Sequence, residues 1–112
     1  QYASAFDLVL LSKHALETPV LAKIVATTKI NISSIDGRQV HQLENINQLL
    51  GRIVGVRGVK TGWTLNAGEC LVTYVERNGQ KILIVLLGSQ DRFGETEKLI
   101  NWVFENFEWH QI

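Results

Sequence analysis

Polar and apolar positions along this chain recur with two periods, and the switches between them mark out its elements. From Phe6 to Leu16 the apolar residues Phe6, Leu8, Val9, Leu10, Leu11, Ala15 and Leu16 are dense enough to predict a helix buried on more than one side. Ser4 and Asp7 make a capping-box pattern, a hydroxyl at the N-cap and a carboxylate in the first turn. Thr18-Pro19 restarts a helix, predicted over 19–26, because proline is tolerated at the first helical position. Lys29 to Ser34 alternates polar and apolar, the pattern of a half-exposed strand. Asp36-Gly37 predicts a tight turn with φ > 0 at both positions, and Arg38 to Leu43 the returning strand. Asn45 to Leu50 reads as a short turn or helix ending at Gly51.

The second half is dominated by strand patterns. Val56 to Val72, VRGVKTGWTLNAGECLV, begins strand-like but places Lys60, Thr61 and Gly62 at its centre. Gly55 and Gly58 precede that triplet and a turn at Leu65 to Gly68 follows it. Two more strands, Glu69 to Glu76 and Gln80 to Leu87, flank Asn78-Gly79, another tight-hairpin signal. The last element, predicted over 92–108, sets Leu99, Ile100, Val103, Phe104 and Phe107 on one helical face. Glu95 and Glu97 lie near its start, where the helix dipole favours negative charge. Helices, a hairpin, three antiparallel strands and a closing helix predict an α+β fold, an antiparallel sheet covered by helices.

Composition narrows the function classes. At 112 residues the chain is one domain at most, or a piece of one. Eleven basic residues balance eleven acidic ones, which counts against nucleic acid as a partner, since that surface needs a basic excess. The longest apolar run, Ile82 to Leu87, is far too short to span a membrane. Gln1-Tyr2-Ala3 lacks the basic start of a secretory leader, so the chain is expected to begin within a longer protein. Cys70 is the only cysteine and has no internal disulfide partner. His14, His41 and His110 share no ligand spacing with one another or with Cys70, so neither a metal nor a cofactor is expected. Cys70 is expected to pack inside as a strand residue.

The chemistry centres on Lys60-Thr61-Gly62. A phosphate-binding loop requires glycine immediately before the lysine and a helix after it, whereas Val59 precedes Lys60 and a strand follows. On a strand, the ammonium and the hydroxyl can hold a carboxylate or tune the proton of a neighbouring nucleophile. The glycine lets a substrate backbone come close, and the amide N–H of Trp63 can help stabilise an oxyanion. The triplet is one of the three signatures of penicillin-binding proteins and class A β-lactamases, beside S-x-x-K and S-D-N. Taken alone it also suits a solvated lysine on a sheet edge.

Longer stretches extend the likeness. Val56 to Val72 resembles the GVDGIKTGxTxxAGxCLV segment of the D-alanyl-D-alanine carboxypeptidases, the low-molecular-weight penicillin-binding proteins of serine peptidase family S11. Tyr2 to Leu8 resembles the YSTAxDLA helix of that family, Leu43 to Leu50 its LxNTNxLL segment, and Lys98 to Phe104 its closing KKLLxWGF helix. Arg57 departs from the pattern, where many members carry aspartate.

The resemblance implies a fold of the β-lactamase/DD-peptidase type, with residues 1–112 as the C-terminal portion of its catalytic domain. It implies that Lys60 binds substrate or penicillin within the active-site hydrogen-bond network. Thr61, Gly62 and Thr64 would contact the substrate around its terminal carboxylate, Trp63 would offer its N–H to the oxyanion, and Arg92 would attract the carboxylate. For Arg92 the bland alternative is an exposed residue at the start of a helix. The implied partners are a peptidoglycan stem peptide or a β-lactam, and the implied location is extracytoplasmic. Lys60 and Thr61 point to opposite faces of an ideal strand, so both can serve one cleft only if their strand is a sheet edge.

The nucleophile is missing from the pattern. The residues three positions after Ser4, Ser12, Ser33, Ser34 and Ser89 are Asp7, Ala15, Asp36, Gly37 and Arg92, so no S-x-x-K occurs. No S-x-N occurs either. The chain is therefore expected to lack the N-terminal half of the domain, to be inactive alone, and to expose apolar surface that favours a homodimer, a swapped dimer or aggregation. A β-lactamase of the same fold and a non-catalytic binding module are the alternatives.

Overall fold

The computed structural model describes residues 1–112. Its elements are α1 (Ala5–Leu16), α2 (Pro19–Ala26), β1 (Lys29–Ser33), β2 (Val40–Glu44), β3 (Val56–Thr64), β4 (Gly68–Arg77), β5 (Gln80–Ser89) and α3 (Arg92–Asn106). β1 and β2 form a separate antiparallel ribbon, and the main sheet runs β3-β4-β5, antiparallel throughout. The α+β architecture expected from the pattern is the one observed.

The main sheet is built around β4, which is hydrogen-bonded on both sides. Its Leu71, Val72, Thr73 and Val75 are all buried. Successive side chains alternate between faces. Leu71 and Val75 meet Ile100 of α3, together with Leu49 and Val56, in the one buried cluster. Val72 and Tyr74 turn to the other face, where α1 lies over β4 and β5. Asn78 (φ 51°) and Gly79 (φ 77°) both adopt the left-handed backbone that the β4–β5 hairpin requires.

Four local expectations are corrected. At Asp36-Gly37 only Gly37 is left-handed (φ 70°). The Asp36 carboxylate instead accepts from the Ser34 hydroxyl and from the Arg38 N–H, building a wider turn, so the return strand starts at Val40 and not at Arg38. Both ribbon strands are exposed along their whole length, since no layer covers either face. In α1 only Ser12 is buried, while Phe6 and Leu11 remain 69% and 63% exposed, because nothing in this chain stands over its outer side. α3 ends at Asn106, and its buried positions are Thr96 and Ile100, with Phe93 and Phe104 packed around them. Leu99 and Phe107 lie outside that stripe and stay exposed.

The approach to β3 is held by its neighbours. Gly55 has φ 84°, and a Cβ there would overlap the carbonyl of Glu76. That closeness lets the Glu76 N–H donate to the Gly55 carbonyl (2.9 Å) and Arg77 Nε donate to the Val54 carbonyl (2.7 Å). The preceding segment is shaped by two asparagines. Asn45 Nδ2 donates to the Thr27 carbonyl (3.1 Å), and its Oδ1 accepts from the Asn47 N–H (3.0 Å). Asn47, itself buried, accepts from the Leu49 N–H (3.1 Å) and so delivers Leu49 to the core.

Candidate functional site

β3 is an edge of the main sheet, as a cleft serving both Lys60 and Thr61 requires. Lys60 pairs with Val72 and Thr61 with Leu71, and directly opposed residues share a face. Thr61 is therefore turned toward the α3 side and is 6% exposed. Lys60 stands on the α1 side and is exposed, with its ammonium donating to the Thr61 carbonyl. On the α1 side a groove of about 330 Å³ separates the helix from the strands. Leu8, Ser12 and Ala15 form one wall, and Lys60, Gly62 and Cys70 belong to the other. The lining is mainly apolar, so a charged group entering it has Lys60 as its nearest counter-charge.

Arg92 is not an exposed residue at a helix start. It is half-buried, its Nη1 donates to the Gly62 carbonyl (3.0 Å), and its guanidinium lies 4.9 Å from the centre of the Phe93 ring. Its own N–H donates to Glu69 Oε2 (2.9 Å). The start of α3 is thereby fastened to both strands of the β3–β4 hairpin. Asp91 caps that helix, accepting from the Gly94 N–H (3.0 Å), and Ser89 Oγ bridges from the Asp91 N–H to Glu95.

The remaining candidates sit at the end of β3. Trp63 is 64% exposed and pairs with Glu69. Thr64 Oγ1 accepts from the Ala67 N–H (3.0 Å), closing the turn into β4, which leaves its hydroxyl hydrogen to donate elsewhere. Gly62 has ordinary strand φ, and a Cβ on it would meet only Cys70 Cβ at 3.9 Å, so space and not backbone strain is what this glycine contributes. Cys70 is half-buried and not enclosed as expected, because it lines the groove. His14, His41 and His110 are exposed and scattered.

Glu69 and the two asparagines were not singled out by the sequence pattern. Glu69 lies inside a strand and its partner is 23 residues away, a contact that no local spacing encodes. An N-x-N between two turn-like segments is a recognisable Asx-turn signal for Asn45 and Asn47.

The sheet, its covering helices and the lysine-bearing edge define the DD-peptidase fold. Solved structures that share it include a transpeptidase and a penicillin-binding protein. A point mutant of the Streptomyces K15 DD-transpeptidase has a TM-score of 0.85 at 26% identity, covering 94% of this chain and 43% of that one. Penicillin-binding protein D2 from Listeria monocytogenes, in its cefotaxime-bound form, has a TM-score of 0.74 at 33% identity, covering 88% and 39%. Among curated proteins, D-alanyl-D-alanine carboxypeptidase DacF of Bacillus subtilis is 26% identical over 114 residues. The match takes in 99% of this chain but 29% of the length of DacF. The family model for D-alanyl-D-alanine carboxypeptidase matches residues 1–91. The chain belongs to that family, peptidase S11.

Proposed function

We propose that this chain is the substrate-binding portion of the catalytic domain of a serine-type D-Ala-D-Ala carboxypeptidase, acting outside the cytoplasmic membrane on peptidoglycan stem peptides. The observation that carries the reading is the position of Lys60-Thr61-Gly62 on the free edge of the sheet, with Arg92 bonded to the same strand. An edge strand offers unpaired backbone groups to an extended peptide, and Gly62 keeps the approach clear. Lys60 supplies positive charge on one side of that edge. Thr61, Thr64 and Arg92 supply hydroxyls and a guanidinium for the terminal carboxylate. The Trp63 N–H serves the oxyanion.

In the complete enzyme a serine from outside these residues attacks the carbonyl between the two D-alanines. Its proton passes to the departing amine, the last D-alanine leaves, and water hydrolyses the acyl-enzyme. A β-lactam takes the place of the peptide and acylates the same serine. None of the five serines here has a lysine three residues on, so the isolated chain forms no acyl-enzyme.

A fluorescent penicillin followed by denaturing electrophoresis tests this directly. The isolated chain is expected to carry no covalent label. A protein of the relatives' full length containing this segment is expected to label, and Lys60→Ala in that protein to slow labelling about a hundredfold. A stable adduct on the isolated chain overturns the reading.

A further inference from the structure

An arginine at the first position of a helix is not held in place by the helix itself. Its side chain is long and rich in rotamers, and the first N–H groups of any helix lack partners within it. Arg92 is such a residue, the first of α3. Its Nη1 donates to the Gly62 carbonyl (3.0 Å), while its Nε is buried without a partner. The Gly62 carbonyl is thus the one hydrogen-bond acceptor the guanidinium has within the chain. Whether the guanidinium reaches it depends on where the backbone of residue 92 stands.

Glu69 sets that backbone. It is half-buried near the start of β4, in register with Trp63 of β3 on one side and Ser89 of β5 on the other. Its Oε2 accepts from the Arg92 N–H (2.9 Å), and Ser89 Oγ accepts from the Asp91 N–H (2.9 Å). Two consecutive N–H groups at the start of α3 are therefore held by two residues that face each other across the sheet. A carboxylate in that place is also favoured by the helix dipole. Glu69 takes part in none of the chain's ion pairs, so its carboxylate is used for Arg92 alone.

We propose that Glu69 is a positioning residue of the carboxylate site: by holding the Arg92 N–H it keeps the guanidinium at Gly62 and so determines how tightly a substrate with a terminal carboxylate binds. This role rests on Arg92 receiving that carboxylate in the complete enzyme. The bond and not the charge does the positioning. A glutamine carbonyl can accept from the same N–H, whereas alanine cannot.

The test uses a protein of the relatives' full length containing this segment, with steady-state cleavage of a peptide ending in D-Ala-D-Ala. Glu69→Ala is expected to raise KM about tenfold and to change kcat by less than about threefold. Glu69→Gln is expected to keep KM within about twofold of wild type. In nitrogen–proton spectra of the same proteins, the signal of the buried Arg92 Nε–H should shift in Glu69→Ala and hold its position in Glu69→Gln. A wild-type KM in Glu69→Ala, a loss confined to kcat, or a glutamine variant as impaired as the alanine one would each overturn the proposal. A wild type that cleaves no D-Ala-D-Ala peptide sinks the proposed function instead. The Nε–H signal then decides the positioning role by itself, and a signal unmoved in Glu69→Ala overturns it.

Discussion

Arg92 shows how one side chain can join two elements. Its guanidinium reaches the Gly62 carbonyl while its own N–H is held by Glu69, so the lysine-bearing strand and α3 move together. Truncation to alanine leaves the Gly62 carbonyl without that donor. Arg92→Ala is expected to cost about 1.5–3 kcal/mol, the usual worth of a hydrogen bond to a charged group. Amide chemical shifts at Gly62 and Trp63 should move, while those of the β1–β2 ribbon should not. Gly55 illustrates the opposite constraint, a residue needed for what it lacks. Its φ of 84° and the Glu76 carbonyl packed against its Cα leave no room for a methyl group. Gly55→Ala is expected to destabilise by about 1–3 kcal/mol in urea unfolding, and Gly79→Ala, equally left-handed but with open space around it, by less.

Among elements, α1 depends most on its ends. Its capping box is complete: the Asp7 N–H donates to Ser4 Oγ (3.1 Å) and the Ser4 N–H to Asp7 Oδ2 (2.8 Å). The Ser4 donors hold the Asp7 carboxyl below its ordinary range, the backbone N–H first and the hydroxyl second. Asp36 is held low in the same way by the Ser34 hydroxyl and then by the Arg38 N–H. A lowered folded pKa means that the stabilisation is present above the unfolded value, near 3.9, and is lost as pH falls through the folded value. The helical circular dichroism signal should accordingly fall as pH is taken from about 5 to 2, over the range around and below the ordinary carboxylate value. Ser4→Ala should lower the signal at neutral pH and flatten that acid response. An unchanged titration in the variant would show that the box does not control the end of α1. Tyr74 behaves in the reverse sense. Burial, followed by its bond to Glu76, raises its pKa, so its contribution is present below about 10 and lost as the pH rises beyond.

For the molecule as a whole, stability rests on a small core placed on one side of the sheet. Leu49, Val56, Leu71, Val75 and Ile100 are its buried residues, drawn from a loop, two strands and the last helix. Ile100→Ala is expected to cost about 2–5 kcal/mol, because the helix and the sheet cannot both close on the cavity. In a chain with so few enclosed side chains that loss should appear as unfolding at room temperature in low urea. The other side of the sheet carries less. There α1 packs on β4 and β5 and α2 on β3, yet Phe6, Leu10, Leu11, Val20 and Ile24 of those helices remain exposed. Apolar area left in water contributes nothing to folding and favours association.

How much of this is readable in advance depends on the reach of each interaction. The three helices, the five strands and the Asn78-Gly79 turn follow from spacings within a few residues, where chain geometry alone fixes which side chains share a face. The Lys60-Thr61-Gly62 triplet is conspicuous because lysine and glycine are costly at the centre of a strand. The Asp36-Gly37 turn departs from its expected form for a local reason, since the side chain of Asp36 offers the backbone a bond that the two-residue pattern ignores. Burial in α1 falls short of expectation because apolar density states what a helix can bury, not what is present to cover it. The sequence by itself determined the elements and the fold class, and singled out Lys60, Thr61, Gly62, Thr64 and Arg92 as candidates for holding a carboxylate. Only the tertiary structure decided that β3 is an edge and that Arg92 and Glu69 brace it. Those outcomes depend on contacts between residues far apart in the chain, whose partners become neighbours only when the sheet has formed.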